Sequence, residues 1–84
     1  MRTNQPGART WTIRSGADLG RAIADVRALH GLTQEALAEQ AAISRTYLAR
    51  IETGMTVAMI ERVLRILRRL GAEVTVSMRD NNAG

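Results

Sequence analysis

The chain has 84 residues, with no cysteine, no lysine and a single histidine. Without cysteine, it forms neither disulfides nor thiolate metal sites. Without lysine, all twelve basic side chains are arginines. The chain has one histidine, no paired-carboxylate motif and no phosphate-binding loop motif, so no set of its residues resembles a catalytic constellation. We therefore expect neither an enzyme nor a cofactor.

Long apolar segments are also missing. No apolar run approaches the roughly 20 residues that cross a bilayer. The N-terminal segment MRTNQPGART lacks the apolar core of a signal peptide. These absences predict a soluble, cytoplasmic protein with no membrane partner.

The size and charge of the chain indicate the partners that it needs. A domain this small hides only about 60 to 65% of its unfolded surface, so its own core gives marginal stability. A second copy of the chain is the simplest source of further burial. The formal net charge of +4 fits a polyanionic partner such as nucleic acid.

Residues 33–53 have the pattern of two short helices joined by a tight turn, and they read TQEALAEQAAISRTYLARIET. Thr33 and Ser44 are good N-caps, and apolar residues recur at helical spacing after each of them. The outer side of the second helix keeps a polar and cationic row without a structural role. This is the layout of a helix-turn-helix.

Two further helices flank this motif. The first is predicted over residues 17–30, ended by Gly31, and the last runs from a cap at Thr56 to about Leu70 and stops at Gly71. The apolar positions of the last helix cover roughly 160° of arc, more than the 100° stripe that one core requires. The excess predicts a second buried contact.

Two segments have the period-two alternation of strands, residues 10–14 (TWTIR) and residues 72–79. A lone strand is unstable in water, so the second needs a neighbour. That neighbour is either TWTIR or the same strand of a second chain, and the wide apolar face of the last helix favours the second chain. The predicted organisation is a flexible arm with a possible short strand (1–14), a helix-turn-helix domain (15–71), a dimerisation strand (72–79) and a polar tail (80–84).

Residues 19–71 resemble the XRE-family, or lambda-repressor-like, helix-turn-helix domains. The motifs that carry the resemblance are LTQ, LA, IS, RIE and a glycine within GLTQEALAEQAAISRTYLARIETG, followed by IERVLRILRRLG. Their fixed spacing makes the match specific. The ending IERVLRILRRLGAEVTVSMRD is similar to the HipB-like antitoxins, in which a helix runs into one strand that pairs across a dimer.

The resemblance implies DNA contacts at seven positions: Gln34, Ser44, Arg45, Thr46, Tyr47, Ala49 and Arg50. The first two would contact phosphate at helix N-termini. Arg45 and Thr46 would reach base edges, with Arg45 suited to guanine. For the last three, base contact, backbone contact and no contact are equally open.

The resemblance also implies structural roles. Arg27 and Glu52 match positions that pair as a buried salt bridge between helices one and three, which would fix the recognition helix. Ala42 departs from the family, whose turn usually carries glycine. If the backbone there is left-handed, alanine costs up to roughly 1 to 2 kcal/mol relative to glycine. Otherwise the turn has a different shape.

The implied fold is mainly α, a lambda-repressor-like domain of four to five helices whose C-terminal strand pairs across a homodimer. The interface would consist of residues from the last helix and the strand: Met59, Val63, Ile66, Leu70, Val74, Val76 and Met78.

The implied function is that of a sequence-specific repressor which binds a palindromic operator in double-stranded DNA as a dimer. The HipB-like ending implies an antitoxin that binds a HipA-type Ser/Thr kinase toxin and represses their shared operon. Two alternatives stay open. One is a plain XRE-type regulator, phage-like or metabolic, without a toxin. The other is a protein-interaction module that kept the fold and docks an acidic partner on the arginine face of its last helix.

Overall fold

A computed structural model describes residues 8–54 and 58–79 of the chain. The elements follow in the order β1 (Ala8–Ile13), α1 (Gly16–Leu29), α2 (Gln34–Ala41), α3 (Arg45–Glu52), α4 (Ala58–Arg69) and β2 (Val74–Arg79). The described part is mainly helical, with a small two-stranded antiparallel sheet. None of its helices has the length and apolarity needed to span a membrane. The predicted cap at Thr56, the polar tail and residues 1–7 of the arm lie outside it.

The helix boundaries follow from capping residues. The hydroxyl groups of Ser15, Thr33 and Ser44 accept hydrogen bonds from the backbone N–H three residues ahead, at 3.0 to 3.2 Å. Gly31 and Gly71 follow α1 and α4 with φ of 70° and 75°, in the left-handed region where glycine has no steric cost. The observed bounds of these helices lie within one or two residues of the predicted ones.

Both strands of the sheet belong to the same chain. β2 pairs with β1, with Trp11 opposite Val76 and Ile13 opposite Val74, so TWTIR is one neighbour of this strand. The pairing with a second chain, which the sequence favours, would use the other edge of β2 and stays a prediction. β1 also begins at Ala8, so this part of the expected flexible arm is ordered strand. The physical reason is that the two strands present matching apolar residues on one face, and those residues close over the same core.

The core is small and lies between the sheet, α1 and α4. Its buried cluster consists of Ile13, Ala22 and Leu64, and partly buried apolar residues pack around it: Trp11, Leu19, Ile60, Val74 and Val76. Trp11 packs at the edge of this core, and its indole N–H donates to the Asp25 carboxylate at 2.9 Å. The Cα radius of gyration is 14.2 Å, above the roughly 12 Å typical of a compact domain of this length.

The backbones of α1 and α3 approach each other closely at Gly20. A Cβ atom built on Gly20 would lie 2.1 Å from the carbonyl oxygen of Ile51. Because no side-chain atom fits at that distance, glycine is required for this crossing. The contact fixes the C-terminal half of α3 against the N-terminal half of α1.

The last helix, α4, is fixed beside the start of α1. The Glu61 carboxylate accepts a hydrogen bond from the Gly16 backbone N–H at 3.0 Å, which satisfies a free donor at the helix N-terminus. The Arg68 guanidinium donates to the Arg14 carbonyl oxygen. Together with the buried Leu64, these contacts orient α4 and leave its other side facing outward.

Candidate nucleic-acid interface

The turn between α2 and α3 is built on a left-handed alanine. Ala42 has φ of 61° and ψ of 40°, so the first of the two possibilities considered for this position is the one observed. The backbone N–H of Ile43 donates to the Ala38 carbonyl at 3.0 Å, which closes the end of α2. Ile43 is half-buried between the two helices.

α3 has one side that faces the interior and an opposite side that faces outward. Leu48 is only 2% exposed and faces the interior. On the outside, four of the predicted DNA-contact residues are exposed: Arg45, Thr46, Tyr47 and Arg50. Ala49, also predicted, is half-buried, so it offers less surface to a ligand than these four. Arg45 and Thr46 occupy the first turn of the helix, the part that enters the major groove in helix-turn-helix domains.

An ion pair joins α1 to the end of α3. Arg27 Nε and Nη2 donate to the two Glu52 carboxylate oxygens at 2.7 and 2.9 Å, and Arg27 Nη1 donates to the Leu32 carbonyl at 2.8 Å. The side chains are 19% and 6% exposed. The hydrogen bond from Arg27 lowers the pKa of the Glu52 carboxyl against the opposing effect of burial, and the same bond raises the pKa of Arg27. The pair therefore stays charged and holds α3 in place.

Gln34 belongs to the same network, a role that the sequence reading missed. Its side-chain Nε2 donates to a Glu52 carboxylate oxygen at 2.9 Å. An amide nitrogen carries two hydrogens, so one remains free for phosphate at the start of α2. No pattern in the sequence signals this bond, because it depends on the distance between two helices. Gln34 thus connects the predicted phosphate contact to the orientation of α3.

Ser44 also combines two roles. Its hydroxyl oxygen accepts the hydrogen bond from the Tyr47 backbone N–H, and its own hydrogen remains available for donation to a phosphate oxygen. The predicted phosphate contact is therefore compatible with its function as the N-cap of α3.

A polar cleft of ≈ 550 Å³ lies between the starts of α2 and α3, lined by Arg27, Thr33, Gln34, Glu35 and Arg45. The Arg45 guanidinium and the N-terminus of α2 favour an anion there, whereas the charge of Arg27 is already paired with Glu52. The Glu35 carboxylate opposes it, and the sequence reading gave this residue no role. Within residues 8–54 and 58–79, no group of histidine, aspartate and glutamate side chains is arranged to hold a metal ion.

The predicted interface residues divide into two sets. Four residues of α4 are strongly exposed: Met59 at 65%, Val63 at 48%, Ile66 at 58% and Leu70 at 74%. On β2, Val74 and Val76 instead pack against the core of their own chain, because β1 brings that core to them. Met78 is half-buried and lies opposite Arg9 in the sheet.

Comparison with known proteins assigns most of the chain to a family. A protein-family model described as helix-turn-helix matches residues 23–76, which is 54 of the 84 residues. Searches of curated proteins and of solved structures gave no match. The matched segment contains the cleft, the turn and the exposed row of α3. The chain belongs to the helix-turn-helix family, and it is a DNA-binding regulator of the XRE type.

Proposed function

We propose that the protein is a transcriptional repressor that binds a palindromic operator as a homodimer. The observation that carries the proposal is the apolar row on α4, which is formed by Met59, Val63, Ile66 and Leu70 and is 48 to 74% exposed. These residues follow the spacing i, i+4, i+7 and i+11, which is a single helical face. A contiguous apolar face of this kind is typical of an interface.

A two-fold axis through this row would bury the same residues of both copies against each other. Such burial would supplement the small core of each protomer. In the described residues, β2 has a neighbour on only one edge. The β2 strands of two copies could therefore also pair edge to edge across the axis, which would form one four-stranded sheet and satisfy the free backbone groups.

The dimer would determine what the protein reads. One α3 helix contacts only a few base pairs, so useful affinity requires two half-sites. In a symmetric helix-turn-helix dimer, the two recognition helices enter successive major grooves about 34 Å apart. We expect an inverted repeat whose half-site centres are separated by about one turn of DNA.

Selection from a randomised duplex library tests the operator. The full chain should enrich an inverted repeat, and Arg45→Ala should lower affinity for that repeat about tenfold to a hundredfold through loss of a base contact. Arg21→Ala, which removes an exposed arginine of α1, is the control and should have a small effect. Unchanged binding by Arg45→Ala would instead favour a protein-interaction module that kept the fold.

Sedimentation equilibrium tests the dimer independently of DNA. Ile66→Glu places a charge in the apolar row, so it should convert the dimer to a folded monomer, because Ile66 is 58% exposed and lies outside the core. Ala28→Glu, at an exposed position of α1, should leave the dimer intact. A wild-type chain that sediments as a monomer at micromolar concentration would overturn the dimer proposal.

We further propose that the regulator is the antitoxin of a HipBA-like pair, a cytoplasmic protein without enzymatic activity. The support is the resemblance of its ending, in which α4 leads directly into β2. Co-expression with an adjacent kinase-like reading frame should relieve the growth arrest that the kinase causes alone. A phage or metabolic gene in that position, or no relief by co-expression, would leave a plain XRE-type regulator.

A further inference from the structure

The positive charge of the chain lies mostly outside the helix-turn-helix. Residues 15–54, which include α1, α2 and α3, contain four arginines and five acids, for a net charge of −1. Residues 58–79 contain five arginines and two acids, for a net charge of +3. The basic character of the protein therefore requires an explanation that the recognition helix does not give.

Three arginines form a stripe on α4, the arginine stripe, which consists of Arg62, Arg65 and Arg69. All three are exposed, and their spacing of i, i+3 and i+7 places them on one face over about 10 Å. In the described residues they form no ion pair. Glu61, the acid on the same helix, is bonded to the Gly16 backbone N–H instead. The stripe thus presents three guanidinium groups without a counter-charge from the described part of the chain.

The stripe lies far from the base-reading end of α3. α4 is attached to the N-terminal end of α1 through Gly16 and Arg14. The start of α3 lies instead near the C-terminal end of α1, where Arg27 and Arg45 line one cleft. The 14 residues of α1 separate these ends by roughly 20 Å. The molecular surface that binds the stripe is therefore distinct from the bases that α3 contacts.

The apolar row of α4 adjoins the stripe on the same helix. If the proposed dimer packs two α4 helices antiparallel about a perpendicular two-fold axis, the stripes of both copies lie on the same side of the interface. They then form one surface of six arginines, and this step rests on the proposed dimer. Exposed arginine beside methionine and aliphatic side chains is a composition found in protein interfaces. The planar guanidinium group also binds carboxylates through two hydrogen bonds.

We infer that the arginine stripe is a docking surface for an acidic segment of a partner protein. The segment carries carboxylates that match the three guanidinium groups along about 10 Å. Its binding site is separate from the DNA interface, so the regulator holds DNA and this segment at the same time. DNA backbone is the competing occupant, and the experiment separates the two.

The test uses the full chain and a defined probe, a labelled alanine-rich helical peptide with glutamates at positions i, i+3 and i+7. Fluorescence anisotropy at about 50 mM salt measures binding. Arg65→Gln combined with Arg69→Gln should weaken peptide affinity about threefold to tenfold. The charge-matched control, Arg9→Gln combined with Arg21→Gln, removes two exposed arginines elsewhere and should change affinity less than twofold. A peptide with glutamines in place of glutamates should not bind.

Amide chemical-shift mapping locates the peptide. The inference requires shifts concentrated in residues 62–69. Shifts concentrated in α3, no saturable binding, or equal losses in the two double variants would each overturn it. A stripe variant that loses affinity for a random DNA duplex but not for the peptide would assign the stripe to DNA backbone. Sedimentation and operator binding of the same variants should match wild type, so a failure of the proposed dimer or repressor function is detected separately.

Discussion

Ala42 stores conformational energy in the turn of the DNA-binding motif. It is the non-glycine residue with positive φ in the described residues, and its side chain is exposed. A left-handed alanine costs roughly 1 to 2 kcal/mol relative to glycine, although glycine has more entropy to lose on folding. Ala42→Gly should therefore raise the free energy of unfolding by about 1 kcal/mol, measured by urea denaturation.

Ala41→Gly provides the matched control one residue earlier. Ala41 is also exposed, but it is the last residue of α2 and has right-handed helical backbone. The same substitution there should lower the free energy of unfolding by up to about 1 kcal/mol through loss of helix propensity. If both variants are destabilised equally, the turn is not strained at Ala42.

Glu52 makes the stability of the motif sensitive to acid. Its pKa lies below the ordinary value of 4.5 because the carboxylate accepts hydrogen bonds from Arg27 and Gln34. The stabilisation is thus fully present above that value and is lost as the pH falls through the lowered pKa of the folded state. Glu52→Gln should flatten the decrease in unfolding free energy below pH 4.5, measured by urea denaturation from about pH 6 to about pH 3.

Glu39→Gln is the control for this titration. Glu39 is an exposed residue of α2 and forms no ion pair in the described residues. Its variant should keep the steep acid dependence of the wild type. An equally steep dependence in Glu52→Gln would show that the ion pair with Arg27 does not couple proton binding to folding.

At the scale of elements, the crossing of α1 and α3 depends on Gly20. Helix propensity alone predicts that Gly20→Ala stabilises α1 by about 1 kcal/mol. The structure predicts the opposite sign, because the new methyl group would lie 2.1 Å from the Ile51 carbonyl oxygen. Thermal unfolding should show a loss of several kcal/mol, and operator affinity should fall because α3 is displaced. A stabilised variant would contradict the close crossing.

The helices could be predicted because their signals are local. Thr33, Ser44 and Gly31 set element boundaries through interactions within a few residues, and all three perform those roles in the structure. The hydrogen bond between Gln34 and Glu52 could not be predicted, because it requires the relative position of α2 and α3. The close approach at Gly20 was missed for the same reason.

The strand that pairs with β2 could not be identified from the sequence. Alternation showed that Val74 and Val76 face one side, but it does not identify the strand that pairs with them. TWTIR and a second chain both fit the pattern. The pairing with β1 depends on how β1 and α1 are placed around Ile13 and Ala22, which is a property of the folded chain.

At the scale of the whole molecule, the proposed dimer couples folding to concentration. If unfolding requires dissociation, a tenfold increase in protein concentration adds about 1.4 kcal/mol per dimer. The Tm of the wild type, measured by circular dichroism, should rise with concentration. Ile66→Glu should have a Tm that is independent of concentration. A wild-type Tm that stays constant over about a hundredfold range would contradict the coupling.

The pairing of β1 with β2 has a consequence for biosynthesis. Ala8 lies opposite Arg79 in the sheet, so the first described strand receives its partner only after the ribosome has made the last one. Until then the backbone of β1 lacks its hydrogen-bonding partner, and the core around Ile13 lacks Val74 and Val76. Closing so long a loop is entropically costly and slow. The nascent helices of the DNA-binding motif can form early, but the sheet becomes complete only after residues 74–79 have left the ribosome.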